Sequence, residues 1–160
     1  MAIFFPVLLS SKEVVPRFTL EDQNGKKFSS DAVNGRTFFF LGCGFHDIVI
    51  CRKHGRKIYW KMQTMLSDDD TVEFFAYLNL RFAPKQVFEY ISSQKEKDYE
   101  SLLLDKNGFL SEGLQDGKSF LRIYSRNGLL IHKEYFATVD DSTVSRLFEF
   151  VKKDRLKGRK

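Results

Sequence analysis

Proline is scarce in this chain: Pro6, Pro16 and Pro84 are the only three among 160 residues. Beyond Pro84 no X–Pro bond exists, so no cis-proline turn can form in the second half. Cysteine is scarcer still, with Cys43 and Cys51 alone, which excludes a disulfide scaffold. Long apolar runs are missing. The longest candidate near the start, Ile3 to Leu9, is broken by Pro6 and falls far short of the ~20 residues a spanning helix needs. It lacks a basic segment before it, so it is not a complete signal peptide. It reads either as a short strand or as the remnant of a targeting segment. The protein is expected to be cytoplasmic if Met1 is the native start, and periplasmic or otherwise exported if Ile3–Leu9 is such a remnant. Internal repeats, low-complexity stretches and Pro/Gly linkers are also absent, which argues for one domain.

What is present is a large apolar share, 42% of the chain, with 17 phenylalanines. That supports a sizeable aromatic core. The net charge of +5 sits at the C-terminus: residues 152–160 hold six basic groups and one acid, and the remainder balances. The chain therefore divides into a single domain over 1–151, with 1–15 an N-terminal extension or targeting remnant, and a basic tail over 152–160. Such a tail can contact nucleic acid or anionic lipid. A solvated, frayed terminus is the simpler reading.

Periodicity gives the elements. Phe18–Leu20 and Lys27–Phe28 pair as a hairpin around Asn24-Gly25, with a short helical turn at Ala32-Val33. Thr37–Leu41 is an unbroken β-branched and aromatic run, as in a strand buried on both faces. Gly42-Cys43-Gly44 punctuates its end. A helix runs from Ile48 to Leu66, carrying an apolar stripe of Ile48, Cys51, Gly55, Ile58, Met62 and Met65. Asp47 suits its N-cap, and a close contact with the sheet could justify Gly55. Strands at Val72–Leu80 and Leu102–Leu104 flank a helix from Pro84 to Ser93, with Val87, Phe88 and Ile91 inward. A second hairpin turns at Asn127-Gly128, and Val139–Lys153 closes the chain as a helix. The order predicts an α/β fold with a mixed central sheet flanked by helices, in the thioredoxin order.

The segment Pro16-Arg17-Phe18-Thr19-Leu20-Glu21-Asp22-Gln23-Asn24-Gly25-Lys26, continued by Gly35–Leu41, resembles the entry of the redoxin family (alkyl hydroperoxide reductase/thiol-specific antioxidant, peroxiredoxin-like). Ser119–Ile123 with Asn127-Gly128-Leu129-Leu130 resembles that family's late hairpin. The resemblance implies a thioredoxin-like fold and thiol chemistry at the first long helix. The motif is degenerate here. Cys51-Arg52-Lys53 matches the second cysteine of a Cys-x-x-Cys pair, but Ile48 occupies the place of the nucleophile. The Pro and Thr that precede a peroxiredoxin thiol are Phe45 and Ile48. No proline precedes Ser119, where Gly117-Lys118 stands instead of the usual cis-proline.

The candidate site therefore rests on Cys51, with Cys43 as a partner and His46 as a tuning group. A helix N-terminus and the neighbouring Arg52 and Lys53 would lower a thiol pKa, whereas burial on the apolar stripe would raise it. The two cysteines could be bridged or free, and two unconnected buried thiols is the reading adopted. Cys43, His46 and Cys51 lack the paired spacing of a zinc site, so neither metal nor cofactor is expected. His54 and His132 are placed at the surface. Arg122, a candidate for polarising peroxide through the resemblance, is read as an outward-facing strand residue. The basic face Arg52, Lys53, Arg56, Lys57 and Lys61, interleaved with Tyr59 and Trp60, could bind an acidic partner. No groove-reading motif supports nucleic acid. Two functions follow as expectations: a thiol–disulfide or peroxide-linked redox protein acting on an unidentified protein or small substrate, or a non-catalytic binding domain using the basic helix and tail.

Overall fold

The computed structural model describes residues 12–68, 70–94 and 101–157. Ile3–Leu9 and residues 158–160 lie outside them. Seven strands form one mixed sheet: β1 (Thr19–Asp22), β2 (Lys27–Ser29), β3 (Thr37–Gly44), β4 (Val72–Asn79), β5 (Leu102–Asp105), β6 (Ser119–Tyr124) and β7 (Leu130–Phe136). Their order across the sheet is β2-β1-β5-β4-β3-β6-β7, with β3, β4 and β5 parallel and the other pairings antiparallel. Among the described residues three α-helices accompany the sheet: α1 (Ile48–Gln63), α2 (Lys85–Ser93) and α3 (Asp141–Lys157). The expected mixed sheet with flanking helices is what the chain forms.

Alternation along β3 splits the core into two layers, because successive side chains point to opposite faces. Phe39, Leu41 and Cys43 meet Ile58, Met62, Val144 and Leu147 from α1 and α3. Phe38 and Phe40 face the other way, into a cluster with Phe18, Phe75, Tyr77 and Tyr124. Among the described residues that second layer is covered by the N-terminal hairpin region, the 3₁₀ turn Ser30–Val33 that brings in Val33, and the loop carrying Leu110, with none of the three α-helices. Phe18 stacks on Phe40 at 5.2 Å, and Phe40 meets Tyr77 at 4.6 Å between ring centroids.

Several expectations need correction. The glycines at 42–44 do not end β3, which runs through Gly44, so Cys43 lies within the strand. Gly42 is there because a Cβ would fall on the Tyr77 ring. Phe88 is exposed and only Ile91 of α2 is buried. Gly55 makes no tight approach to the sheet: a Cβ would meet only Leu41 Cδ2, at 3.5 Å. The closing helix extends to Lys157, so the first six residues of the basic tail are helical rather than frayed. Within α3, buried Asp154 accepts hydrogen bonds from Thr37 Oγ1 (2.7 Å) and Arg126 N–H (2.9 Å). This ties the start of β3 and the β6–β7 turn to the helix. No helix among the described residues is long and apolar enough to cross a membrane.

Candidate functional site

The site lies where β3 hands over to α1. β3 carries Cys43 to its penultimate position, and a 3₁₀ turn, Phe45–Asp47, reverses the chain into α1. Cys51 is the fourth residue of α1, so its side chain faces back over the strand end. The two cysteines are joined as a disulfide, with Cα atoms 6.0 Å apart, inside the normal bridging range. The expectation of two unconnected thiols is overturned. The expectation of burial holds, since both residues are fully enclosed.

Two polar groups hold this corner together. Asp47 stands at the N-cap position of α1 but does not cap it. Its buried carboxylate instead accepts a hydrogen bond from Gly117 N–H at 2.8 Å. That bond fastens the loop before β6 to the start of α1, in the region where the resemblance would place a cis-proline. No cis peptide bond occurs among the described residues. The second group is His54, one turn after Cys51 on the same face of α1. It was expected at the surface but is only 4% exposed. Its Nδ1 lies 2.8 Å from Ser119 Oγ, itself fully buried at the start of β6. Burial, with a smaller contribution from Lys53, lowers the His54 pKa, so the imidazole is neutral at neutral pH. The sequence signal that could have found it is its spacing of three from Cys51 on the apolar stripe.

The other candidates disperse. His46 is exposed in the 3₁₀ turn, with its ring centroid 4.1 Å from that of Phe45. His132 is half-buried and pairs with Glu134 at 2.9 Å. Arg122 does not face outward. It is buried on the sheet face opposite the disulfide, donating to Tyr77 Oη at 2.9 Å and lying 5.1 Å from the Phe40 ring. Burial pushes the Tyr77 phenol up to about 12, against the opposing pull of Arg122. No group of three or more His, Cys, Asp or Glu side chains among the described residues could hold a metal.

Two surfaces adjoin the site. One is apolar: Val49 in the first turn of α1, Phe82 after β4 and Phe109 after β5 are all exposed, Phe82 at 85%. All three follow the C-terminal ends of the parallel strands, the end that carries the disulfide. Phe82 also holds a left-handed φ of 64°, unusual for a bulky residue. The other surface is the basic face of α1. Lys57 and Lys61 are drawn to Asp141 of α3 at 2.5 and 3.8 Å, and Arg52 donates to Tyr90 Oη of α2 at 3.2 Å.

No protein-family model and no curated protein matches the sequence. Solved structures do. The thioredoxin domain of a thiol-disulfide oxidoreductase from Bacteroides vulgatus superposes with a TM-score of 0.62 at 14% identity, covering 89% of this chain and 99% of that one. The exposed lipoprotein thioredoxin Etrx1 of Streptococcus pneumoniae gives 0.62 at 14% identity, covering 84% and 98%. BsSco, a member of the Sco family of cytochrome c oxidase assembly proteins in which a disulfide switch was identified, gives 0.61 at 11% identity, covering 89% and 94%. Likeness at such low identity speaks to architecture. The chain has the thioredoxin fold, with a buried disulfide joining the end of the parallel strand β3 to the first turn of α1.

Proposed function

We propose that this protein is a thiol–disulfide redox protein whose couple is Cys43–Cys51. The observation that carries the reading is the position of the bridge, between the C-terminal end of a parallel strand and a helix N-terminus. Open α/β sheets place their reactive groups at that end. In the oxidised form, a partner thiolate attacks Cys43 Sγ and the Cys51 sulfur leaves as thiolate, giving a mixed disulfide. A second thiol of the partner then resolves it, so the partner becomes a disulfide and this protein a dithiol. Cys51 is the better leaving group, because the helix N-terminus and Arg52 favour its anion. In the reverse direction the Cys43 thiolate attacks the partner disulfide and releases one partner thiolate, and the Cys51 thiolate then attacks Cys43 Sγ of the mixed disulfide and releases the second. Exposed Val49, Phe82 and Phe109 offer a protein partner an apolar seat at this end.

The peroxide-linked form of the reading rests on the redoxin resemblance alone. Arg122, the group that would polarise a peroxide, is buried on the opposite face of the sheet. The second reading, a non-catalytic binding domain, is favoured by the complete burial of both sulfurs, which suits a structural clip.

Thiol alkylation against pH in Cys43→Ser separates the readings, with Cys51→Ser as the control. A Cys51 that reacts appreciably below pH 8.5 supports the redox couple. One that reacts only above about 8.5, the ordinary thiol value, removes it.

A further inference from the structure

A thiolate exchanges only with a disulfide sulfur that it can reach, so access sets the rate alongside thiol pKa. Neither sulfur of this bridge is within reach: Cys43 and Cys51 are both 0% exposed. Cys51 also borders the cleft between α1, α2 and the sheet, yet it shows no surface there either. Something must part before a partner meets the bond.

The corner between β3 and α1 shows where. Phe45 and Ile48 flank this turn and are half-buried against the apolar cluster that holds both cysteines. Beside it runs the segment Gln115–Lys118, which is exposed throughout. On one side of that segment, Leu114 packs on the second core layer and Tyr135 Oη donates to Gly113 O at 2.6 Å. On the other side β6 begins at Ser119. Between these anchors, Gly117 N–H donates to the Asp47 carboxylate at 2.8 Å. An exposed segment is thus fastened to an acid that is itself buried. Gly113 and Gly117 hold left-handed φ values of 82° and 75°, where glycine turns without strain.

The bond is made at the expense of another. An aspartate at an N-cap position ordinarily accepts from the first-turn N–H groups of its own helix. Asp47 makes no such cap and reaches instead to a residue 70 positions along the chain. We propose that the Asp47–Gly117 hydrogen bond is a clasp that controls access to the Cys43–Cys51 bridge. When it opens, Gln115–Lys118 and the turn Phe45–Asp47 part, and the sulfurs meet solvent. When it is closed, exchange waits on its opening. Asp47 is a positioning residue: it acts through the loop it holds and takes no part in the exchange itself. The clasp serves the redox reading above and rests on it for its purpose. Its test is separate, because the reduction potential reports the couple and the reduction rate reports the clasp.

Reduction of the oxidised full chain by dithiothreitol, with acid quenching and alkylation, gives the rate. Hydrogen exchange in the same buffer gives the protection of the Gly117 amide. One opening governing both predicts that reduction is slowed, relative to an unhindered peptide disulfide, by the Gly117 protection factor. Both values should lie well below the protection of the β3 amides. Asp47→Ala is expected to be reduced about tenfold faster, as the loss of a hydrogen bond to a charged acceptor implies. Asp47→Asn keeps a carbonyl acceptor for Gly117 N–H and is expected to restore most of the slow rate. The wild-type comparison stands even if Asp47→Ala fails to fold. A bridge reduced as fast as the peptide disulfide, or one that resists reduction while the Gly117 amide exchanges freely, would overturn the proposal. Slowing as strong as the protection of the β3 amides would also overturn it, since access would then need global unfolding. So would a folded Asp47→Ala protein reduced at the wild-type rate, which would assign access to the cleft beside Cys51.

Discussion

Cys51 stands under opposed influences. The start of α1 and the adjacent Arg52 favour its thiolate, while enclosure in the core favours the neutral thiol. His54 lies one turn further along the same face, with its Nδ1 2.8 Å from Ser119 Oγ. Its own lowered pKa has a stability consequence with a definite sign. The unfolded chain protonates this histidine near pH 6.5, whereas the folded chain resists doing so. Below that value the unfolded state binds more protons, so folding stability falls as pH drops. The part of stability due to His54 is present above about pH 6.5 and is lost on acidification. Denaturant midpoints measured from pH 7.5 to 5 should therefore decline in the wild type and flatten in His54→Gln. An unchanged slope would place the imidazole in solvent. Neither His54 nor Arg122 was legible as buried. Periodicity assigns a residue to a face, but it does not reveal that Ser119 or Tyr77 waits there as a partner.

At the scale of elements, most of the fold could be read. Alternation, turn dipeptides and the 3.6-residue stripe located every strand and helix within a few residues. β3 is where the reading fell short. Gly42-Cys43-Gly44 carries a turn composition, and only the Tyr77 ring on the neighbouring strand explains a glycine inside the sheet. Because the strand continues, Cys43 comes within reach of Cys51, and the seven residues between them held no local sign of that. Two helix variants probe the packing. Gly55→Ala should stabilise the protein by about 0.5–1 kcal/mol, because an alanine Cβ fits without a clash. A thermal melt showing destabilisation would mean that the space over Leu41 is already filled. Asp154→Ala should cost about 1–3 kcal/mol, because it leaves the buried Thr37 hydroxyl and the Arg126 N–H without their acceptor. A loss within error in denaturant unfolding would show that water replaces the carboxylate.

For the whole molecule, the bridge links strand to helix across a separation of eight residues. Loop-closure entropy for so short a loop gives about 2–3 kcal/mol. In a chain of this size that corresponds to about 5–10 °C in Tm. Melting with and without a phosphine reductant should show a drop of this order while the far-ultraviolet circular dichroism at 25 °C stays unchanged. Loss of the native spectrum on reduction would make the bridge a folding requirement instead of a couple. The two dithiol–disulfide states would then not share one fold, as a cycling protein needs.

The reduction potential of Cys43–Cys51 tests the redox reading most directly. Equilibrating the full chain against defined ratios of reduced and oxidised dithiothreitol or glutathione, with acid quenching and alkylation, gives the value. Stabilisation of the Cys51 thiolate by α1 and Arg52 favours the dithiol and raises the potential. The expected value lies in the range of exchange proteins, about −120 to −270 mV. A potential below about −300 mV is typical of structural bridges and would identify the bond as a permanent clip, contradicting the redox assignment.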